Sequence, residues 1–247
     1  MEAKQPAKPQ TAPPAAARKR ALNPLLIGAI GVVAVAVALV AIIVSTNNTP
    51  IATADAYNDV PFERLSDGGF VLGSPDAPVT IVEFADFACP HCQDYNATMK
   101  RFVDEFVVPG LARLEYRMFI SAADPVYGPY TAQLAECINQ QRDGAFWPAH
   151  DILFELGSRA RFNDTTARTL ADRLGLNYSE LLTCASSASQ YQTDIRVGQS
   201  MGIQSTPSIM VRFGDSAPQF IRAGETVFNR GPVAYELLRQ VVLSAQS

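Results

Sequence analysis

Cys89-Pro90-His91-Cys92 follows directly on the apolar run Val79-Thr80-Ile81-Val82-Glu83-Phe84-Ala85-Asp86-Phe87-Ala88. At a strand-to-helix junction, two cysteines separated by two residues fall on the first turn of the helix. Unpaired backbone N–H groups and the helix dipole there stabilise a thiolate. Cys89 would stand at the helix tip as the attacking sulfur, with Cys92 about one turn further in as the resolving one. Pro90, which has no N–H to donate, suits the first helical position. Zinc ligands share this spacing, so the motif alone admits redox or metal chemistry. Tetrahedral zinc needs four ligands, and beyond these two cysteines the chain offers only Cys137, Cys184, His91 and His150, with no second C-x-x-C or H-x-x-x-H pair. A zinc-binding or disulfide-stapled module is therefore the remoter alternative.

The motif needs a strand before it and a helix after it. Val79 to Phe84 is a short apolar run bounded by Pro78 and Asp86, which predicts a buried strand. From Pro90 onward Cys92, Tyr95, Met99, Phe102, Val103 and Phe106 recur at spacings of three and four until Pro109-Gly110 stops the helix. Leu111 to Ile120 alternates as a second strand, so strand, helix and parallel strand predict a βαβ unit. Residues 127 to 201 show five helical stretches and no convincing strand, which predicts an inserted helical lobe. Pro207 to Phe213 and Gln219 to Arg222 predict a hairpin around Gly214-Asp215-Ser216-Ala217-Pro218, and Gly231 to Ala245 a closing helix. The folded part starts near Val60, with Gly68 to Pro78 as a lead-in rich in turn residues. The sum is an α/β domain interrupted by an all-α insertion.

The segment before this domain places it in a compartment. Leu25 to Val44 is twenty uncharged apolar residues, long enough as a helix to cross a bilayer once, and Asn23-Pro24 supplies its cap. Lys4, Lys8, Arg18, Lys19 and Arg20 precede it against Glu2 alone, which predicts a cytoplasmic N-terminus and an exported remainder. With the whole chain at net −4, that basic tail leaves the remainder at net −8. Such an acidic balance excludes the clustered positive charge that nucleic acid demands. The expected order is a disordered basic tail over 1–23, a transmembrane helix over 24–44, a polar tether over 45–59 and the folded domain over 60–247. A cleaved signal peptide is the alternative, since Ala52-Thr53-Ala54 and Ala54-Asp55-Ala56 resemble cleavage sites, but the apolar run is longer than such signals carry.

The strand ending in Glu83-Phe84, the motif Cys89-Pro90-His91-Cys92, the distant Ser205-Thr206-Pro207 before a later strand and the helical insertion between them resemble the DsbA-like branch of the thioredoxin superfamily. The likeness is to the membrane-anchored bacterial thiol–disulfide oxidoreductases. It covers roughly Gly68 to Ser244 and implies a thioredoxin-like fold carrying an inserted helical lobe, with no bound cofactor.

The same resemblance implies a role for each matching position. Cys89 would be the low-pKa nucleophile, favoured as thiolate by the helix N-terminus and by His91 beside it. A stable thiolate favours the dithiol, so the oxidised protein passes its disulfide on, as in DsbA. Glu83, six residues before Cys89, would be the family's buried acid, managing the proton of Cys92; strand alternation alone leaves open a solvent-facing carboxylate. Thr206-Pro207 would form the cis-proline loop that faces the cysteines and offers backbone groups to a bound peptide. If Cys89 pairs with Cys92, Cys137 and Cys184 have only each other, and an oxidising exterior lets such a bridge persist; two free buried thiols are the alternative. The implied function is introduction of disulfides into exported proteins, with a quinone-linked or vitamin K epoxide reductase-like membrane partner for reoxidation. The alternative is a reductase or isomerase using the same site.

Overall fold

The computed structural model describes residues 57–120, 123–160 and 162–246. The predicted basic tail, transmembrane helix and most of the tether lie outside the described residues. Among the described residues no helix is long and apolar enough to cross a membrane.

Strand β3 (Val79–Ala85) is buried along its whole length, as an uninterrupted apolar run at the centre of a covered sheet must be. Helix α1 (Pro90–Phe102) follows it, extended by a π-turn over Val103–Val107, and leads to β4 (Arg113–Met118), which pairs parallel to β3. This is the expected βαβ unit. Around it the sheet has seven strands in the order β1-β2-β4-β3-β5-β6-β7. The added strands are β1 (Phe62–Arg64), β2 (Phe70–Leu72), β5 (Ser208–Phe213), β6 (Gln219–Ala223) and β7 (Thr226–Phe228). Every pairing other than β3 with β4 is antiparallel.

The helical lobe comprises α2 (Tyr127–Gln141), α3 (Phe146–Ser158), α4 (Thr166–Leu174), α5 (Tyr178–Ala185) and α6 (Gln190–Ser200); α7 (Tyr235–Ala245) closes the chain. Helix α1 packs against α3 and α7, and α6 lies on β4. Alternate residues of β3 feed two cores. Val79, Ile81 and Ala85 face the cluster holding Cys92, Tyr95, Met99 and Phe102, whereas Val82 and Phe84 join Phe119, Ile203 and Met210.

Three expectations change. The lead-in over Gly68–Pro78 contains β2, whose three residues are fully buried between β1 and β4. The closing helix begins at Tyr235, not Gly231. The preceding residues are held out of the helix by a bridge from Gly231 to Ser208 and by the Tyr95 hydroxyl, which donates to the Val233 carbonyl at 2.8 Å. The second core strand is shorter than Leu111–Ile120, and two of its three charged residues, Glu115 and Arg117, are buried. Arg117 is held by Glu115 at 2.7 Å, Asp194 at 3.3 Å and Asp67 at 2.9 Å, and the Met118 amide donates to Asp194 at 3.1 Å. These contacts fasten α6 and the β1–β2 turn to the sheet. Burial pulls against the Arg117 charge, but its carboxylate partners outweigh that and hold the guanidinium firmly protonated.

Candidate active site

Cys89 occupies the N-cap of α1 in extended conformation (φ −79°, ψ 120°), with Pro90 in the first helical position. No side chain caps this helix, and its first turn carries no acidic residue, so its open amides face the sulfur of Cys89 unopposed. Both Cys89 and Cys92 are free thiols and both are buried, while Pro90 and His91 between them are exposed.

Four hydrogen-bonding groups, working against burial, bring the pKa of Cys89 down to about 5. The largest is the hydrogen bond from the Cys92 thiol; burial opposes it; the Thr206 side chain and the backbone N–H groups of Cys92 and His91 then add to the lowering. His91 therefore acts through its backbone. Its imidazole, expected from the sequence to favour the thiolate, points into solvent and is not among these groups. Cys92 moves the opposite way: burial pushes its pKa up, and the neighbouring Cys89 sulfur adds to this. One member of the pair is held as thiolate and the other as thiol, the asymmetry that an attacking and a resolving sulfur require.

Two surrounding elements complete the site. The Thr206–Pro207 peptide is cis, and the loop carrying it brings the Thr206 carbonyl oxygen to 3.7 Å from Cys89 Sγ. From below, β3 supplies Glu83, 1% exposed, on the face that Ile81 and Ala85 share with Cys92. Its Oε2 has no hydrogen-bond partner among the described residues, and burial alone lifts its carboxyl to about 8. The solvent-facing alternative for Glu83 is thus not the one adopted. Tyr116, its register partner on β4, is buried beside it and feels the charges of both Glu83 and Cys92.

Asp86, a strand boundary in the sequence, also touches the reactive pair. It is buried, its Oδ1 accepts from the Ala88 amide at 2.9 Å, and its own amide donates to Cys92 Sγ at 3.5 Å. A short acidic residue two positions before a small one, just ahead of the motif, is the signal of such an Asx turn. Cys137 and Cys184 are joined in a disulfide between α2 and α5, Cα atoms 5.8 Å apart, as a bridge separate from the reactive pair. His150 packs among Phe87, Tyr116, Phe146, Trp147 and Phe154, its Nδ1 3.1 Å from Asp151. Among the described residues no group of three or more His, Cys, Asp or Glu side chains is placed to hold a metal ion.

A family model described as thioredoxin matches residues 65–213. The disulfide bond formation protein D of Bacillus subtilis is 31% identical over 174 residues, covering 67% of this chain and 76% of that protein. Among solved structures, BdbD from Bacillus subtilis in its oxidised form matches with a TM-score of 0.54 at 22% identity, over 71% of this chain and 91% of that one. Pseudomonas aeruginosa DsbA2 matches with a TM-score of 0.54 at 24% identity, over 72% of this chain and 93% of that one. At these identities the two structures speak for the fold.

Proposed function

This chain belongs to the DsbA-like thiol–disulfide oxidoreductases of the thioredoxin superfamily, and on that premise we propose that it is a thiol oxidase that introduces disulfides into exported proteins. The observation that carries the direction is the Cys89 thiolate, held at a pKa of about 5 beside a Cys92 kept as thiol. The dithiol form gains from that stable thiolate, whereas the disulfide has no thiolate to stabilise, so the protein gives its disulfide away.

A substrate thiolate attacks Cys89 Sγ, the Cys89–Cys92 bond breaks, and the electron pair passes to Cys92 Sγ. That sulfur takes a proton from the neutral Glu83 carboxyl, which burial keeps protonated up to about pH 8. A second substrate thiolate then attacks the substrate sulfur of the mixed disulfide, closing the substrate's disulfide and releasing Cys89 as thiolate. The Thr206–Pro207 loop, at 3.7 Å from the reacting sulfur, holds the substrate backbone alongside it. Two electrons remain on the cysteine pair, and a membrane partner of the quinone-linked or vitamin K epoxide reductase-like type removes them.

The domain works outside the cytoplasm, tethered by Leu25–Val44; the five basic residues ahead of that run and its twenty-residue length support the placement. The Cys137–Cys184 bridge staples the helical lobe, where an oxidising exterior preserves it.

In a Cys92→Ala chain the Cys89 thiolate still attacks disulfides of exported proteins, breaking the S–S bond and releasing one substrate thiolate, and the mixed disulfide so formed has no Cys92 thiol to release it, so it should persist. In cells carrying Cys92→Ala, non-reducing electrophoresis should reveal mixed disulfides between Cys89 and exported proteins that collapse on reduction. A folded, exported variant that forms none would contradict substrate oxidation.

A further inference from the structure

Asp86 meets the active-site loop through its amide, its carbonyl and its side chain. Its N–H donates to Cys92 Sγ at 3.5 Å, its carbonyl oxygen accepts from the Cys89 N–H at 3.1 Å, and its Oδ1 accepts from the Ala88 N–H at 2.9 Å. The side chain is fully buried, and Gly128 of α2 lies so close to it that a Cβ there would stand 3.4 Å from both carboxylate oxygens. Gln93 adds a clasp from α1, its Nε2 donating to the Phe87 carbonyl at 2.8 Å. The segment 86–89 between β3 and α1 is thus bonded at every residue, and the direction of the Asp86 N–H is fixed before any substrate arrives.

That direction bears on the sulfur that must leave. When a substrate thiolate attacks Cys89 Sγ, the Cys89–Cys92 bond breaks and its electron pair departs on Cys92 Sγ. Burial pushes the Cys92 thiol up, the neighbouring Cys89 sulfur adds to this, and the Asp86 amide is the largest group working the other way. A thiolate leaves faster the better its charge is met, and a donor already in place spends nothing on reorganisation.

We propose that Asp86 is a positioning residue for the exchange reaction: its carboxylate, fixed by the Ala88 amide, aims its own main-chain N–H at Cys92 Sγ, so that the sulfur expelled by substrate attack leaves into a preformed hydrogen bond. The carboxylate works as the acceptor of a turn, and its negative charge is not used. The proton from Glu83 then reaches a sulfur already held in place. The proposal rests on the thiol–disulfide exchange reading and holds for either direction of exchange, because the reverse step passes through the same Cys92 thiolate.

Three substitutions separate acceptor, charge and shape. Asp86→Asn keeps an acceptor for the Ala88 N–H without the charge, Asp86→Leu keeps nearly the same shape without an acceptor, and Asp86→Ala keeps neither. Each oxidised protein is mixed with a dithiol peptide for a second-order rate, and each reduced protein is alkylated with iodoacetamide at pH 7, which reads the Cys89 thiolate by itself. Circular dichroism controls for folding, and if one of the two variants without an acceptor fails to fold the other carries the comparison. Asp86→Asn should oxidise the peptide within about twofold of the wild type, and Asp86→Leu and Asp86→Ala roughly tenfold more slowly, the worth of one hydrogen bond to a charged group. Alkylation should stay within about twofold of the wild type in all three, since Asp86 does not stabilise the Cys89 sulfur. An asparagine variant as slow as the other two would make the charge the working feature and overturn the proposal. Wild-type rates in Asp86→Leu and Asp86→Ala would overturn it too, as would alkylation that falls in step with oxidation, the mark of a site whose geometry is lost as a whole. A wild-type protein that oxidises neither the peptide nor dithiothreitol would instead sink the exchange reading, and this role with it.

Discussion

Cys89→Ser should abolish oxidation of reduced substrates, lowering the second-order rate by at least on the order of 10³-fold while the domain stays folded. Serine fills nearly the same space at the N-cap, so the helix and the Thr206 contact can persist. What disappears is the sulfur whose thiolate the Cys92 thiol, Thr206 and the open amides of α1 stabilise together. The exposed His91 imidazole is not among those groups, so His91→Ala should leave a far larger residual rate than Cys89→Ser. Stopped-flow oxidation of a reduced protein, with circular dichroism as the control for folding, separates loss of chemistry from loss of structure.

Glu83→Gln should do two opposite things, slowing the reaction and stabilising the domain. The Glu83 carboxyl is lifted from 4.5 to about 8 by burial, with no partner for its Oε2 among the described residues. Below about pH 4.5 both folded and unfolded chains hold this proton, and folding carries no penalty from it. As the pH rises above that value the unfolded chain ionises alone, and stability falls by roughly 1.4 kcal/mol per pH unit until Glu83 itself ionises near pH 8. At pH 7 the accumulated loss is about 3 kcal/mol. Glutamine cannot ionise and so recovers it, less whatever its buried amide leaves unpaired. The melting temperature of the variant at pH 7 should exceed that of the wild type by several degrees, on the order of 5 °C, with the gap closing toward pH 4.5.

The same substitution removes the proton that Cys92 takes up when substrate attacks. Oxidation should slow by on the order of 10²-fold. Expressed per substrate thiolate, the wild-type rate should fall above about pH 8, where Glu83 gives up its proton, and the variant should show no such step. A variant less stable than the wild type at pH 7, with an unchanged pH profile, would show that Glu83 is not the proton donor.

The residues that carry these expectations differ in how openly the sequence displays them. Cys89-Pro90-His91-Cys92 is legible because its chemistry depends on local spacing at one strand-to-helix junction, and the long helices are legible because their apolar periods run for several turns. Strands β1, β2 and β7 are three residues each, too short for a period to register, and β2 lies among the turn-forming residues of Gly68–Pro78. Glu83 is visible as an acid in an apolar run, but the side it faces is decided by which neighbours cover the sheet. The buried Arg117 with Glu115, Asp194 and Asp67 draws on distant segments, and no local pattern announces it. Gly157 lies close against Gln93 and the Phe87 carbonyl of the active-site loop, a contact between segments far apart in the chain. Fold class and nucleophile are properties of short stretches, whereas buried acid, ion network and such close approaches are properties of the assembled chain.

The equilibrium between the Cys89–Cys92 pair and glutathione, followed across a range of reduced-to-oxidised ratios at pH 7, tests the direction of exchange most directly. A thiolate held at about pH 5 beside a protonated Cys92 should give an oxidising potential, nearer the −120 mV or so of DsbA than the roughly −270 mV of thioredoxin. A potential near that of thioredoxin would contradict the oxidase and assign the same two cysteines to reduction.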